Sequence, residues 1–416
     1  MLPLPSGALA GIRVLDLSRV LAGPWCTQTL ADLGAEVIKV ERPPGGGHPG
    51  GDDTRAWGPP FLKDRQGRDT AEAAYYLGTN RNKRSVTIDL AHAEGQALVL
   101  RLADTCDVLV ENFKVGDMAR YGLDAATLRR RRPRLVYCSI TGFGQTGPYR
   151  ERAGYDYAVQ GMGGLMSVTG ERDDLPGGGP QKVGVAVIDM FTGMYATVAV
   201  LAALRHAERT GEGQYIDMAL LDTSVAIGAN QILGFLNSGK IPPRYGNAHA
   251  NVVPYNVFQT ADGHMILAVG NDSQWQGCCR ALGRPDLGAD ERFRKMSDRI
   301  ANRKVLLADL EAHLRTQASR HWTEALEREG VPCGPINNYA QVMEEPQVRH
   351  RGLQLRLPRA DGGSAPSIAS PLRLTGTPVR HDNAPPLLGQ HTEAVLAGLL
   401  GLDAARIAEL REKGVL

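Results

Sequence analysis

Hydrophobic and polar residues alternate along the first 140 residues in a way that predicts an open parallel sheet. A short apolar strand, IRVLDL (12–17), precedes a loop, a helix that begins near Pro24 and ends at Gly34, and a second strand, AEVIKVE (35–41). Proline near a helix start and glycine at its end are typical helix boundaries. Further strands are predicted at 85–90, 107–113 and 135–140. Strands that alternate with helices predict parallel strands joined by crossover helices.

The second half of the chain has a different pattern. An apolar, alanine-rich helix is predicted over 195–207, where it would pack against the sheet. Two short strands flank an Asp262-Gly263 turn, as in a β-hairpin, and amphipathic helices follow to about residue 329. The tail returns to strand-like segments and ends in two short helices. These changes predict three domain segments, 1–224, 225–330 and 331–416.

Polar and glycine-rich loops follow the carboxyl ends of the predicted parallel strands. Ligands of open parallel sheets bind at this edge of the sheet. The loops that meet there are 18–24, 41–42, 112–116 and the glycine-rich stretch after Ile140. We therefore predict the binding crevice at these loops.

Composition and charge remove several classes of function. The 416 residues include 47 Lys+Arg and 45 Asp+Glu, which leaves a net charge of +2. No overall field therefore attracts the protein to nucleic acid or to an anionic membrane. The first residues lack the features of a signal peptide or presequence, and no segment reaches ~18 uninterrupted apolar residues. We expect a cytoplasmic protein without nucleic-acid or membrane partners.

The six cysteines do not point to disulfides or to a metal site. They stand at positions 26, 106, 138, 278, 279 and 333. This spacing fits neither a disulfide framework nor the paired C-x-x-C pattern of zinc sites. We expect reduced, structural thiols and no bound metal.

Five cationic side chains fall at or near predicted strand ends. They are Arg42, Lys83, Arg84, Lys114 and Arg120. Together they could meet the phosphate oxygens of a ligand, since lysine and arginine both bind phosphate. Each one taken singly is more typical of a solvated surface charge. A polyphosphate ligand and unrelated surface charges therefore both remain open.

Residues 142–147, GFGQTG, match the G-x-G-x-x-G pattern of dinucleotide-binding loops and follow a predicted strand. Pro148 follows the third glycine directly, no clear helix opens within the motif, and no strand ending in an acidic residue follows at the required distance. A glycine loop that approaches some other ligand is the favoured interpretation. Dinucleotide binding and an ordinary turn are the alternatives.

Asp189 interrupts the apolar stretch VGVAVIDMFTG at the start of the long helix. Its carboxylate could cap the helix, or it could act as a nucleophile that the positive helix end keeps ionised. An ordinary aspartate pKa, near ~3.9, would leave it ionised without a general base. Both interpretations stay open. Asp156, His249 and His264 are weaker candidates, because such residues more often serve as caps, turns or hydrogen-bonded structure.

Seven stretches of the chain resemble the family III CoA-transferases. They are GIRVLDLSRVLAGPWCTQTLADLGAEVIKVERP, NKRSVTIDL, DVLVENF, SITGFGQTGPY, GLMSVTG, GVAVIDMFTGMYA and GVPCGPINN. They occur in family order and span nearly the whole chain, through APPLLGQHT. GNAHANVVPYNVFQTADG, EPQVRHRGL and the PINN that ends at Asn338 resemble the succinyl-CoA:glutarate subgroup most closely.

The resemblance implies a fold, an assembly and a set of site residues. Asp189 matches the family's catalytic aspartate, in a G-x-x-x-x-D-x-x-x-G setting with Gly184 and Gly193. Each chain would have a large domain with a Rossmann-like open parallel sheet and an inserted smaller α+β domain, and two chains would form an interlocked homodimer. The positions that correspond to CoA contacts are Leu21, Ala22, Arg42, Ile88, Asn112, Phe113, Lys114, Arg120, Thr141, Gly142, Phe143 and Gly144.

The resemblance also implies the chemistry. CoA would move from an acyl-CoA donor such as succinyl-CoA to a free dicarboxylic acid such as glutarate, through an aspartyl acyl-enzyme and without a permanently bound cofactor. Formyl-CoA transferase covers its aspartate with a run of glycines, and GNAHAN (246–251) stands at the corresponding place here. His249 or Asn247 in this segment could contact a substrate carboxylate.

Two other functions remain as alternatives at this stage. An α-methylacyl-CoA racemase shares the fold and removes an α-proton with a His and Asp pair. In this chain the residue before Asp156 is Tyr155, where that subgroup carries histidine, so the imidazole base is missing. A CoA-binding protein without turnover is the second alternative, and the presence of Asp189 argues against it.

Overall fold

The computed structural model describes residues 7–416, and its strands form four sheets. The strands are β1 (Arg13–Asp16), β2 (Glu36–Glu41), β3 (Phe61–Lys63), β4 (Asp69–Ala73), β5 (Lys83–Thr87), β6 (Val108–Glu111), β7 (Val136–Thr141), β8 (Tyr215–Ala219), β9 (Tyr255–Gln259), β10 (His264–Ala268), β11 (Cys333–Pro335), β12 (Gln354–Pro358) and β13 (Ser364–Ile368).

Helices connect these strands and cover the largest sheet. They are α1 (Ala22–Asp32), α2 (Ala74–Leu77), α3 (Ala93–Ala103), α4 (Asp117–Arg120), α5 (Ala125–Arg131), α6 (Asp156–Met162), α7 (Leu165–Val168), α8 (Val187–Thr210), α9 (Leu220–Ile227), α10 (Ala229–Ser238), α11 (Asp272–Ala281), α12 (Pro285–Ala289), α13 (Met296–Ala301), α14 (Arg303–Leu314), α15 (Ser319–Arg328), α16 (Tyr339–Glu344), α17 (Pro346–His350), α18 (Thr392–Leu400) and α19 (Ala404–Glu412).

Six strands form one parallel sheet in the order β5-β2-β1-β6-β7-β8. Each neighbouring pair is parallel. Numbered by their order in the chain, these six strands stand 3-2-1-4-5-6, which is the doubly wound arrangement of dinucleotide-binding folds. The order reverses between β1 and β6, so the loops after these two strands flank a crevice at the carboxyl edge. The predicted open parallel sheet is confirmed.

Five of the six strands match predicted strands, and the edge strand β8 was not predicted. The central strands are buried on both faces and read as short apolar runs, which the sequence shows clearly. In β8 the residues alternate between exposed and partly buried positions, as expected at a sheet edge. The hairpin predicted around Asp262 is confirmed as β9 and β10, and the two short helices predicted at the tail are confirmed as α18 and α19.

The chain divides into two compact units. Among the described residues, the larger comprises 7–164, 183–233 and 347–416, and the smaller comprises 165–182 and 234–346. A core of strand and helix residues fills one side of the parallel sheet in the larger unit. The smaller unit has its own core, in which Trp275 and Phe258 pack with residues of the helices that follow. The compact units have other boundaries than the predicted domain segments 225–330 and 331–416. The division into those segments stays a prediction.

The longest helix, α8, packs along α1. The sequence predicts a helix over 195–207, whereas α8 begins earlier, at Val187. Small residues on its buried face let the two helices approach closely, and a Cβ added at Gly193 would lie 2.6 Å from the Ala22 carbonyl oxygen. Among the residues that the structure describes, α8 alone is long and apolar enough to cross a membrane, and 44% of its most apolar window is buried.

Candidate active site

Asp189 lies in the first turn of α8, and a second carboxylate, Asp156, caps that turn. Oδ1 of Asp156 accepts hydrogen bonds from the backbone N–H groups of Ile188 (2.7 Å) and Asp189 (3.2 Å). Its other oxygen accepts one from the side-chain amide of Gln160 over 2.6 Å. The capping role that the sequence allowed for Asp189 therefore belongs to Asp156. The Asp189 side chain is not used to close the helix end.

The packing of α1 against α8 determines what lies near Asp189. Gly193 abuts Ala22, and one turn further along each helix the side chain of Thr197 hydrogen-bonds to the Cys26 thiol. The two helices therefore run side by side in the same direction. Asp189 lies one turn before Gly193 on the same face of α8. This places Asp189 beside the N-terminal end of α1.

The N-terminal end of α1 presents backbone N–H groups. No side chain caps this helix, whose first residue is Ala22 and whose preceding residue is Leu21. Pro24 in the first turn has no N–H of its own. The remaining first-turn N–H groups carry the positive end of the helix dipole and have no acceptor within the helix. They form a place where a negatively charged oxygen would be stabilised.

The pKa of Asp189 differs from the expectation that it is ordinary. Loss of solvent around this half-buried carboxylate, and then the negative charge of Asp156, raise the pKa of Asp189 to about 7. At neutral pH the Asp189 carboxylate is therefore only partly ionised, which differs from the expectation of full ionisation. The sequence revealed neither the burial of this side chain nor the second carboxylate beside it.

The loops after β1 and β6 are joined at the point where the strand order reverses. The Arg19 backbone N–H donates to Oδ1 of Asn112 over 2.9 Å, and Nδ2 of Asn112 donates to the Arg19 carbonyl oxygen over 2.7 Å. The Arg19 guanidinium lies 5.8 Å from the centre of the Phe113 ring. Four of the expected ligand-binding residues, Leu21, Ala22, Asn112 and Phe113, therefore lie at one edge of the sheet.

Aromatic and cationic side chains continue this edge. The Phe113 and Tyr121 rings meet edge to face, with their centres 6.3 Å apart. The Arg120 guanidinium lies 5.3 Å from the Tyr121 ring centre and 3.0 Å from a carboxylate oxygen of Asp117. Arg120 and Lys114 are exposed. Such a surface can stack an adenine ring and pair with phosphate groups.

The loop after β7 is built around glycine. The Thr141 hydroxyl oxygen accepts the Gly144 N–H over 2.9 Å, and Gly144 has a φ of +85°, which favours glycine. Gly142 is buried, and a Cβ added there would lie 2.5 Å from the backbone of a neighbouring loop. Phe143 is partly buried. Residues 142–147 form no helix, so this loop lacks the helix that dinucleotide binding requires.

The remaining expected contacts have different surroundings. Arg42 follows β2 and is exposed, whereas Ile88 is 1% exposed and packs in the core of the larger unit. Lys83 is fully buried, with its Nζ 3.0 Å from a carboxylate oxygen of Asp16. Arg84 pairs over 2.6 Å with an acidic residue at the start of β2. Lys83 and Arg84 therefore pair with protein carboxylates, whereas the exposed Arg42 stays a predicted ligand contact.

Tyr75 lies near Asp189 and contacts Trp57, and the sequence did not reveal this neighbour. The rings of Trp57 and Tyr75 meet edge to face with their centres 5.3 Å apart. Burial, followed by the negative charges of Asp189 and Asp156, raises the pKa of Tyr75, which places its hydroxyl within the field of both carboxylates. Tyr75 and Asp189 are more than a hundred positions apart in the sequence, and no sequence motif connects them. Only the folded structure shows that they are neighbours.

The segment 246–251 of the smaller unit is shaped by local contacts. Nδ1 of His249 accepts the Asn251 N–H over 3.1 Å, and the His249 ring centre lies 5.3 Å from that of Tyr255. Arg303 donates to a backbone carbonyl of the segment over 2.6 Å. Asn247 is exposed, whereas His249 is partly buried. A role for either one with a substrate carboxylate stays a prediction.

The chain is similar over most of its length to known proteins. The sequence profile of CoA-transferase family III matches residues 9–392. The succinate–glutarate CoA-transferase of Agrobacterium fabrum is 51% identical over 94% of this chain and 95% of its own length. The human succinyl-CoA:glutarate CoA-transferase is 40% identical over 98% of this chain and 89% of its own. The crystal structure of a CAIB/BAIF family protein from Brucella suis superposes with a TM-score of 0.82 at 47% identity, over 95% of this chain and all of that one.

Proposed function

Because the chain belongs to CoA-transferase family III, we propose that it transfers CoA from succinyl-CoA to a free dicarboxylic acid such as glutarate. The two acids are those in the names of the similar enzymes from Agrobacterium fabrum and human. The observation that carries the proposal is the position of Asp189 beside the uncapped end of α1, where no cation of the described residues lowers its pKa. A nucleophile and donors for an oxyanion are thus brought together.

Asp189 would act as the nucleophile in a sequence that conserves the thioester. Its carboxylate attacks the donor carbonyl, which gives a mixed anhydride and releases CoA thiolate. The thiolate attacks the aspartyl carbonyl, which frees the donor acid and leaves an aspartyl-CoA thioester. The acceptor carboxylate then attacks that thioester to form a second anhydride. Return of the thiolate to the acceptor's carbonyl gives the product and restores Asp189.

The end of α1 would stabilise the oxyanions that form in each attack. The contact of Gly193 with Ala22, one turn along α8 from Asp189, supports a position of the Leu21 and Ala22 N–H groups near the Asp189 carboxylate. Backbone donors held by a helix need no rearrangement during the reaction, and such donors are worth roughly 10²–10³ in rate. The steps use carboxylates and a thiolate only, so we propose that no permanently bound cofactor takes part.

The CoA moiety would lie along the carboxyl edge of the sheet. The joined loops after β1 and β6 support this placement, as do the exposed cations and the glycine loop after β7. Ile88 would support its loop from the core. The proposed CoA contacts are Leu21, Ala22, Arg42, Asn112, Phe113, Lys114, Arg120, Thr141, Gly142, Phe143 and Gly144.

The contacts of Asp156 favour transfer over racemisation. Both of its oxygens are engaged, one with the N–H groups at the start of α8 and the other with the Gln160 amide. Tyr155 precedes it and is exposed. An Asp that caps a helix and lacks an imidazole neighbour is poorly placed to exchange a proton with substrate.

We also propose that the protein is an interlocked homodimer and that its smaller unit is an inserted domain. Both segments of the smaller unit lie between segments of the larger one along the chain, which supports insertion. Exposed apolar side chains on α8 and α9 support association, since such surfaces mark interfaces. Those at least 37% exposed are Phe191, Met194, Tyr195, Val198 and Val225. Light scattering should give the mass of two chains, and a monomer would contradict the assembly.

A panel of donors and acids tests the function directly. Succinyl-CoA and short monocarboxylic acyl-CoA donors are incubated with free glutarate, other dicarboxylic acids and monocarboxylic acids, and the CoA products are identified by mass spectrometry. We expect glutaryl-CoA from succinyl-CoA and glutarate, with weaker transfer to monocarboxylic acids. Absence of transfer to every acid would contradict the proposal. Solvent deuterium entering the α-position of a 2-methylacyl-CoA without an acid would favour the racemase.

A further inference from the structure

The loop between β1 and α1 contains a strained backbone. Val20 has a φ of +71°, in the left-handed region that β-branched residues seldom occupy. In the part of the chain that the structure describes, only two other non-glycine residues, Asn82 and Ala229, have positive φ. Strain of this kind persists only where the surroundings impose it, and it concentrates at functional sites. Val20 directly precedes Leu21 and Ala22.

A buried ion pair contacts the backbone of this loop. The Val20 N–H donates to the Asp52 carboxylate, 3.2 Å from each oxygen. Asp52 is 2% exposed and is held by Nζ of Lys39 over 2.9 Å, and by the N–H and hydroxyl of Thr54 over 3.0 and 2.8 Å. Nζ of Lys39 also donates to the Ser18 carbonyl oxygen over 2.8 Å. One buried pair thus holds the loop at two points.

The residues around Val20 are fixed independently. The Arg19 peptide is joined to Asn112 by two hydrogen bonds, and the Trp25 N–H donates to the Leu21 carbonyl oxygen over 2.8 Å. If Val20 relaxed to a negative φ, the peptide between it and Leu21 would turn. The N–H of Leu21 would then point elsewhere.

Asp52, whose carboxylate accepts the Val20 N–H, stays charged at neutral pH. Burial opposes the ionised form of Asp52, but the charge of Lys39 and the hydrogen bonds from Lys39 and Thr54 outweigh it and lower the pKa of Asp52. The negative charges of Asp52, Asp16 and Glu41 outweigh the burial of Lys39 and raise its pKa. Both partners therefore remain ionised where the enzyme would work.

We propose that the Lys39–Asp52 pair is a positioning device for the reaction, which holds Val20 in the left-handed conformation and so aims the N–H groups of Leu21 and Ala22 at the reacting carbonyl. This inference rests on the proposed function. Neither Lys39 nor Asp52 touches substrate in this account, so both are positioning residues. The alternative is that the pair only stabilises the fold.

A double-mutant cycle between Val20→Gly and Asp52→Asn separates the two roles. Glycine adopts a φ of +71° without strain, so the loop would no longer need the pair to hold it. We expect Asp52→Asn to lower kcat about tenfold in the Val20 background and at most about threefold when Val20→Gly is present. The KM for acyl-CoA should change little, because the donors act on the transition state. A merely structural role predicts the same loss in both backgrounds.

A matched control and a backup variant complete the cycle. Asp32 pairs with Arg81 in a second buried ion pair away from this loop, so Asp32→Asn should cost the same whether or not Val20→Gly is present. If Asp52→Asn does not fold, Lys39→Met with Asp52→Asn replaces it, because removing both partners leaves no unpaired buried charge. Amide hydrogen exchange over 19–25 is measured in all variants and needs no substrate.

The outcomes are distinct. Faster exchange in the Asp52 variant, reversed by Val20→Gly together with the loss of kcat, supports the inference. Equal losses of kcat in both backgrounds would overturn it, whatever the exchange shows. No transfer by the wild-type protein with any acid, combined with coupled exchange, would instead contradict the proposed function and leave the assignment of the loop intact.

Discussion

Two carboxylates on either side of α1 have opposite surroundings. Asp16, at the end of β1, is completely buried, and it accepts a hydrogen bond from Thr27 of α1 over 2.7 Å and pairs with Lys83 over 3.0 Å. Burial alone would raise the pKa of Asp16, but the charges of Lys83 and Lys39, with hydrogen bonds from neighbouring hydroxyls, lower it to about 2. At Asp189, burial and then the negative charge of Asp156 raise the pKa to about 7, and no cation in the described part of the chain offsets them.

This difference separates a structural carboxylate from a reactive one. A carboxylate whose charge is matched by cations and hydroxyl donors stabilises the fold and has little reactivity left. A carboxylate whose ionised form is poorly stabilised gains by reacting, and groups with such perturbed pKa values cluster at functional sites. The Asp16–Lys83 pair therefore belongs to the fold, and Asp189 belongs to the chemistry.

Replacing the reactive carboxylate should have the largest effect. We expect Asp189→Asn to lower kcat by about 10⁴-fold or more, because the covalent intermediate can no longer form. The folded protein should become more stable at pH 8. The raised pKa means that ionising Asp189 costs stability as the pH rises from about 4 to about 7, and asparagine removes that cost. Steady-state kinetics and thermal unfolding at two pH values measure both effects.

Replacing the structural carboxylate, Asp16, should instead lower the stability of the fold. We expect Asp16→Asn to lower the free energy of unfolding by about 3–5 kcal/mol, because it leaves Lys83 buried without its partner. Denaturant unfolding measures the loss. If the free energy of unfolding changes by less than about 1 kcal/mol, the ionic network contributes little to stability. Asp16 could then no longer be described as a structural carboxylate.

Helix α1 packs against α8, which carries Asp189. Increasing the distance between the two helices should therefore displace Asp189. Gly193→Ala would bring a Cβ to 2.6 Å from the Ala22 carbonyl oxygen, so the helices must separate. We expect kcat/KM to fall about 10²-fold, since a misplacement of about 1 Å costs that much. Gly398→Ala in α18, where an added Cβ meets nothing within 4 Å, is the control. Equal activity of both variants would disprove the proposed register.

The smallest expected effect is a shift in pH dependence. The wild-type kcat/KM should rise with pH and level off above about 7, because the nucleophile must be ionised. Asp156→Asn removes the like charge and should move this inflection about one pH unit lower. Asparagine retains an oxygen that can accept the Ile188 N–H, so the helix end should stay capped. An inflection that stays in place would mean that burial alone sets the pKa.

The sequence predicts the sheet well and the site only in part. Buried parallel strands are short apolar runs, and their carboxyl ends meet at one edge, so the loops carrying Asn112 and Leu21 could be placed together without a structure. The pairing of Asp156 with a turn 33 residues later, or of Asp16 with Lys83 67 residues later, depends on the path of the chain. For this reason neither the raised pKa of Asp189 nor the partner of Lys83 could be predicted from the sequence.

Covalent trapping tests the central claim most directly. The protein is mixed with succinyl-CoA, quenched with hydroxylamine, digested and analysed by mass spectrometry, with Asp189→Asn as the control. Hydroxylamine converts an aspartyl anhydride or thioester into a hydroxamate. The account predicts a hydroxamate at Asp189 of the wild-type protein and none in the variant. CoA transfer that proceeds while Asp189 stays unmodified would contradict it.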